Sequence, residues 1–207
     1  MLKRSGGFTL IELLVVITLI GVLAVAVLSA LNPIEQINKA RDAGRRSDSS
    51  QLINAIDRYY ASNEQFPWNS ATFTQNRVTS VGGAFKQTAS IMGVGVCGGT
   101  NATTDGAVLS GCSAVGLLVT SEELKSQFSK RKAFRTAPVK EDVFYVVKEL
   151  NDPSVSVCFI PSSKATRDNW ATLKKVNLAA AQAITTCSEE PDWTTADDSC
   201  FVCIPEE

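Results

Sequence analysis

Residues 13–31 run for 19 positions without a charge, broken only by Thr18, Gly21 and Ser29 among otherwise apolar residues. At about 1.5 Å per residue, a helix of that length spans roughly 28 Å, close to the hydrocarbon thickness of a bilayer. No later stretch of the 207 residues is comparable. The chain is therefore expected to carry one membrane segment, near its start, followed by a body that faces water. Apolar residues make up 44% of the chain, enough for that body to pack a core. The balance of 20 basic and 21 acidic side chains gives no sign of a nucleic-acid binder or an acidic tail.

Histidine is absent. That removes Ser-His-Asp and Cys-His catalysis, histidine metal sites and histidine pH switching together. The six cysteines, Cys97, Cys112, Cys158, Cys187, Cys200 and Cys203, all follow the apolar run. An even number behind an export-type start reads as disulfides formed in an oxidising compartment.

Three readings compete for the N-terminus. A cleaved secretory signal would use Lys3 and Arg4 as its basic start and Ala24-Val25-Ala26 as its small-residue site. The apolar run is too long for that and continues past the site. A plain signal anchor fits the length. Neither explains Glu12, a carboxylate about one turn inside an otherwise apolar helix. Translocon scales charge about 2.5–3.5 kcal/mol for an Asp, Lys or Arg at the centre of a membrane helix, less near the interface. A glutamate kept there needs a partner, or must snorkel to the headgroups.

The stretch Gly6-Gly7-Phe8-Thr9-Leu10-Ile11-Glu12-Leu13-Leu14 resembles the processing region of type IV prepilins and type II secretion pseudopilins. The basic leader, the Gly-Phe junction, the Glu spacing and the apolar run coincide. The resemblance implies that a membrane-embedded prepilin peptidase cuts between Gly7 and Phe8 and methylates the new amino group of Phe8. It also implies a role for Glu12 in assembly. The new amine would lie about 6 Å along the axis from Glu12, and a neighbour docked with a one-turn stagger would bring its amine against this carboxylate. Pairing would offset part of the desolvation cost. The pair Tyr59-Tyr60, with Asn63 and Phe66-Pro67, similarly resembles the end of the long helix in major pseudopilins. The resemblance covers roughly the first 67 residues.

Past the apolar run, Pro33 should kink or locally open the helix. Ile37, Ala40, Gly44, Leu52, Ile56 and Tyr59 recur at helical spacing, with a polar gap around residues 47–50. Glu35 with Lys39, and Asp42 with Arg46, have the favourable i,i+4 orientation. One long helix to about Tyr60 is expected, bent near Pro33. Thr120-Ser121-Glu122-Glu123 reads as a capping box opening a short helix to about Lys130. Residues 143–150 and 154–160 read as an antiparallel hairpin about Asn151-Asp152-Pro153. Residues 170–186 are ambiguous, with room for a helical turn or two, and 200–204 suit a last strand. The fold class is α+β. A long N-terminal helix, half membrane and half amphipathic, covers the face that a small antiparallel sheet would otherwise expose. The expected divisions are a leader at 1–7, a transmembrane and assembly helix at 8–32, its amphipathic continuation at 33–62, and a disulfide-containing globular head at 63–207.

Within the head, structural disulfides are the plain reading of the cysteines, with Cys97–Cys112 the favoured local pair, closing a Gly-rich loop. Cys187 with Cys200-x-x-Cys203 has an alternative zinc or redox reading, but a second paired motif and a βαβ context are missing. Residues 125–140 hold six basic side chains (Lys125, Lys130, Arg131, Lys132, Arg135 and Lys140) and no acidic one. With Phe128 and Phe134 among them they offer a grip on DNA, Lys130, Arg131, Lys132 and Arg135 being the contacts. The plainer reading is a solvated face, or a strip meeting acidic neighbours in a filament. Asp192, Asp197 and Asp198 suggest calcium through oxygen ligands, as in the C-terminal loop of major pseudopilins, though their spacing is not diagnostic and solvent exposure is the simpler account. Asn101-Ala102-Thr103 matches a glycosylation sequon by pattern alone.

The function the resemblance implies is that of a non-enzymatic filament subunit. Its partners would be the lipid bilayer, prepilin peptidase, copies of itself and other pilins, and an assembly platform. It would be a single-pass membrane protein with its head outside the cytoplasm, then part of a cell-surface or periplasmic filament. The alternatives are a DNA-binding pilin of a DNA-uptake system and a membrane-anchored extracytoplasmic enzyme. The enzyme reading lacks a recognisable catalytic constellation. No cofactor is expected beyond the calcium alternative.

Overall fold

A computed structural model describes residues 7–30, 32–64, 66–67, 83–86, 95–98, 114–134, 139–148, 154–176, 184–195 and 198–206. Two helices lead the chain, α1 (Leu10–Ala30) and α2 (Pro33–Asn63). Together they make up the long N-terminal helix expected, with its interruption at the expected place just before Pro33. Asn32 is extended (φ −93°, ψ 92°), its side chain accepts the Glu35 N–H at 3.2 Å, and Pro33 opens α2. Proline's missing N–H is harmless at a first helical position, where it would have no intrahelical acceptor. The sequence Asn-Pro thus restarts the helix. α2 ends at Asn63, where Glu64 turns left-handed (φ 52°) and donates its N–H to the Tyr60 carbonyl at 2.7 Å. Just beyond, Phe66 folds back and stacks on Tyr60, centroids 4.5 Å apart.

Strands β1 (Gly83–Lys86), β4 (Tyr145–Lys148), β5 (Val155–Phe159) and β8 (Val202–Ile204) form one antiparallel sheet in the order β1-β4-β5-β8. The hairpin expected over 143–160 is there, with Val146 opposite Val157. The last strand is there too. Two short ladders stand apart, β2 (Cys97–Gly98) with β3 (Ala114–Val115), and β6 (Lys174–Lys175) with β7 (Thr185–Thr186). Within the ambiguous 170–186 region lie a 3-10 turn (Trp170–Thr172) and this second ladder.

α2 lies on the sheet and closes its main core. Leu52, Ala55 and Ile56 have no exposed surface and meet Val146, Val155, Val157, Phe159 and Val202. Each fully buried Leu or Ile of this kind contributes roughly 1.5–3 kcal/mol. The pleat sends alternate residues the other way, where Tyr145, Val147, Cys158, Ile160 and Cys203 pack with Val143, Val176 and Phe201. Both faces are therefore covered, the second by the chain around Val176 and Phe201. That is why the strands are almost wholly apolar instead of alternating.

The first half of α2 faces inward with a different stripe from the one the apolar pattern suggested. Ile37, Ala40 and Gly44 are exposed, while Asp42, Arg45 and Ser49 are buried. Here the helix meets polar backbone. Asp42 accepts the N–H groups of Ser162 (2.8 Å) and Ser163 (2.9 Å), and Arg45 joins Asp42 (3.2 Å), Asp142 (2.8 Å) and the Ser162 hydroxyl (2.6 Å). The proposed i,i+4 pairs give way to these longer-range partners. Glu35 accepts the N–H groups of Lys164 and Ala165 at the start of α4 (Lys164–Arg167), and Arg46 pairs with Glu206 at 2.9 Å.

The helix expected over 120–130 is replaced by three pieces. α3 (Leu117–Thr120) ends where the capping box was to begin; the Thr120 and Ser121 hydroxyls donate back to the Leu117 carbonyl. Glu122 is left-handed (φ 63°), and a 3-10 turn follows over Ser126–Lys130. Glu123 is drawn to Arg58 of α2 at 2.7 Å, and Leu124 is buried. A tertiary partner thus claims Glu123 and local carbonyls claim the Thr120 hydroxyl, so neither side chain serves as the cap.

Candidate functional site

The segment that leads into α1 has the most distinctive chemistry of the chain. Gly7 and Phe8 precede the helix, and the Phe8 side chain is 86% exposed. Thr9 and Glu12 close a reciprocal box at the helix start. The Thr9 hydroxyl accepts the Glu12 N–H at 3.3 Å, and Glu12 Oε2 accepts both the Thr9 N–H (2.9 Å) and the Thr9 hydroxyl (2.8 Å). The Leu13 N–H reaches the Thr9 carbonyl at 3.2 Å. Two donors that a helix leaves without intrahelical acceptors are satisfied in this way. The role of Thr9 was missed from sequence although the signal, Thr-x-x-Glu before an apolar run, stood in plain view.

Among the described residues, α1 packs against no part of the head. Leu10–Ser29 form a 20-residue span able by length and composition to cross a bilayer, and none of it is buried against the head. Large apolar side chains such as Leu10, Val22 and Val25 are more than two-thirds exposed. In water that surface would be strongly unfavourable at about 25 cal/mol per Å², so α1 requires an apolar environment.

In the head, two disulfides join the C-terminal strand region to the rest. Cys158–Cys203 crosses directly between β5 and β8, and Cys187–Cys200 ties the loop before β8 to the end of β7. Cys200 and Cys203 bond to different partners and not to each other, which leaves no thiolates for zinc and no disulfide within the motif for redox cycling. Cys112 lies outside the described residues, as does the Cys97 side chain, so the Cys97–Cys112 pairing falls outside them. Asn101 and Thr103 fall there as well.

The basic strip is less available than its composition suggested. Phe128 and Phe134 are buried and pack on each other, centroids 5.6 Å apart, so neither ring is free to stack on a base. Arg131 pairs with Asp48 and lies over the Phe128 ring at 4.6 Å, and Lys140 donates to the Trp193 carbonyl. Lys125, Lys130 and Lys132 are exposed; Arg135 lies outside the described residues.

The loop suggested for calcium is pinned by side-chain cations. Besides the Lys140 contact, the Arg167 guanidinium sits 4.9 Å from the centre of the Trp193 ring. Asp192 accepts the Thr194 N–H at 2.9 Å, which holds its carboxyl below the usual carboxylate range, and Asp198 accepts the Thr195 hydroxyl at 2.7 Å. Asp197 lies outside the described residues. Among the described residues, no three acidic, cysteine or histidine side chains gather in a way that would hold a metal.

Comparison with known proteins bears on the leading segment. No curated protein and no solved structure matches the chain. Residues 2–28 match the family model for the prokaryotic N-terminal methylation motif, which takes in the basic start, the Gly7-Phe8 junction, the Thr9–Glu12 box and most of α1. With its apolar, unpacked helix and its disulfide-bonded α+β head, the chain carries the prepilin-type motif that marks type IV pilin-like and pseudopilin substrates of prepilin peptidase.

Proposed function

We propose that the chain is a structural subunit of a type IV pilus-like or type II secretion pseudopilus filament. The observation that carries this reading is the match at 2–28, which takes in most of a helix that packs against nothing among the described residues. A leader of residues 1–7 is removed after Gly7, and the amine of Phe8 is methylated. Residues 8–32 then serve first as the anchor of a single-pass membrane protein with its head outside the cytoplasm, and later as the spine of the filament. Residues 33–62 carry the head, residues 63–207, away from the membrane.

Glu12 is the assembly determinant in this reading. One of its oxygens, Oε2, takes both Thr9 bonds. The other remains for a cation, and the amine of a neighbour's Phe8 is of the right charge. A carboxylate in an apolar phase gains most from a partner that is charged and donates a hydrogen bond.

The test is the intact mass of the chain from producing cells, followed by filament purification. Removal of seven residues from the 207, one added methyl and a mature start at Phe8 are expected. A chain that starts near Val27, or that keeps its leader, returns the protein to ordinary secretion or simple anchoring. Salt-sensitive DNA binding by the purified chain would favour the DNA-uptake alternative instead.

A further inference from the structure

Two adjoining hollows of about 370 and 390 Å³ share Arg41, Arg45, Lys132 and Asp142 and so make one trough between α2 and the 3-10 turn at Lys132–Phe134. Its charges are unevenly matched. Arg45 is bonded to Asp142 at 2.8 Å, Arg131 to Asp48, and Arg167 to Glu141 at 3.5 Å. Arg41 and Lys132, one on each wall, are exposed and have no ion-pair or hydrogen-bond partner among the described residues. The trough is thus a concave site with two cations left over.

The same chain presents the complementary charge. Glu189, Glu190 and Asp192 are exposed on the loop after β7, and none has an ion-pair partner within 4 Å among the described residues. Pro191 restricts the backbone between them. The root of the loop is fixed by Cys187–Cys200, by the Lys140 bond to the Trp193 carbonyl and by Arg167 against the Trp193 ring. A loop held in place loses little freedom on docking.

The geometry points to a contact between copies in which the acidic loop of one chain, Glu189 to Asp192, seats in the trough of another against Arg41 and Lys132. The inference rests on the filament reading and names the charges that set how heads meet. The giving and receiving surfaces differ, and such heterologous contacts propagate into open helical polymers unless their rotation happens to close. Opposed charge at this contact selects the register, whereas like charge there blocks it.

Two charge reversals in the full chain test this, R41E/K132E in the trough and E189K/E190K in the loop. All four side chains are exposed, and cleavage to a start at Phe8, read by intact mass, should be unchanged. Each reversal alone should lower filament yield about tenfold or more, and co-production of the two should restore it, because each then supplies the charge the other lacks. Wild-type yield from either reversal alone, or no recovery on co-production, overturns the contact. If the wild type forms no filaments the proposed function fails, and self-association of the detergent-solubilised full chain decides the contact by itself. Association that weakens with salt, disappears in each variant and returns on mixing supports it; association indifferent to salt and to both variants overturns it.

Discussion

Glu12 is where residue chemistry has the most to decide, because two physical accounts of it make different demands on the side chain. The box with Thr9 needs only an acceptor oxygen, which glutamine also supplies. Pairing with a neighbour's amine needs the negative charge. Glu12→Gln should therefore keep cleavage and membrane insertion, retain the helix start, and still abolish filaments, as Glu12→Ala should. Filaments of normal yield from Glu12→Gln would leave capping as the whole role of this residue. Glu35 makes a second, pH-dependent case. The N–H groups of Ala165 and Lys164 hold its carboxyl below its ordinary value of 4.5, with Lys39 adding a smaller pull. A carboxyl whose folded value is depressed stabilises the fold above its unfolded value, and that contribution fades as pH falls through the folded one. Wild type should thus melt higher than Glu35→Gln at neutral pH, and the gap should narrow below about pH 4.5. A gap that is constant with pH would show that the charge of Glu35 is immaterial.

At the scale of elements, the C-terminal strand depends on covalent ties. β8 is a three-residue strand, too short to hold its place by ladder bonds alone; Cys158–Cys203 fastens it to β5, and Cys187–Cys200 fastens the segment just before it to the end of β7. The sequence separations are 45 and 13 residues. Loop-closure entropy then assigns about 4 kcal/mol to the first bridge and about 3 kcal/mol to the second. Denaturant unfolding of the paired serine variants should show losses in that order, with the Cys158/Cys203 pair the more damaging; equal stability would place the restraint elsewhere. The hairpin β4–β5 was legible beforehand because apolar β-branched runs flank Asn151-Asp152-Pro153, a local signal. The inward stripe of α2 was not. Its first half docks on the backbone of Ser162 and Ser163, and polar side chains suit such a surface better than Ile37 does. Apolar periodicity finds a helix face only where that face meets apolar neighbours.

The whole molecule divides by solvent. Among the described residues, nothing in α1 contributes to either core, whose members come from α2 onward. A chain beginning at Pro33 should accordingly be soluble and fold with an unfolding midpoint close to that of the detergent-held full chain. A head that fails to fold without α1 would contradict that independence. In the proposed filament the same division would separate two kinds of contact, one through the apolar surface of α1 and one through the charged trough and loop of the head.

The sequence by itself determined the apolar N-terminal segment, its processing motif, the break in the long helix near Pro33 and the main hairpin. Each rests on neighbours within a turn or two, or on composition summed along a short stretch. Only the tertiary structure decided which face of α2 turns inward, how Cys158, Cys187, Cys200 and Cys203 pair, that Phe128 and Phe134 belong to the core, and which cations are left unpaired. Those depend on groups brought together from distant parts of the chain. There a side chain takes the partner that best relieves its burial, and that partner is seldom the nearest in sequence.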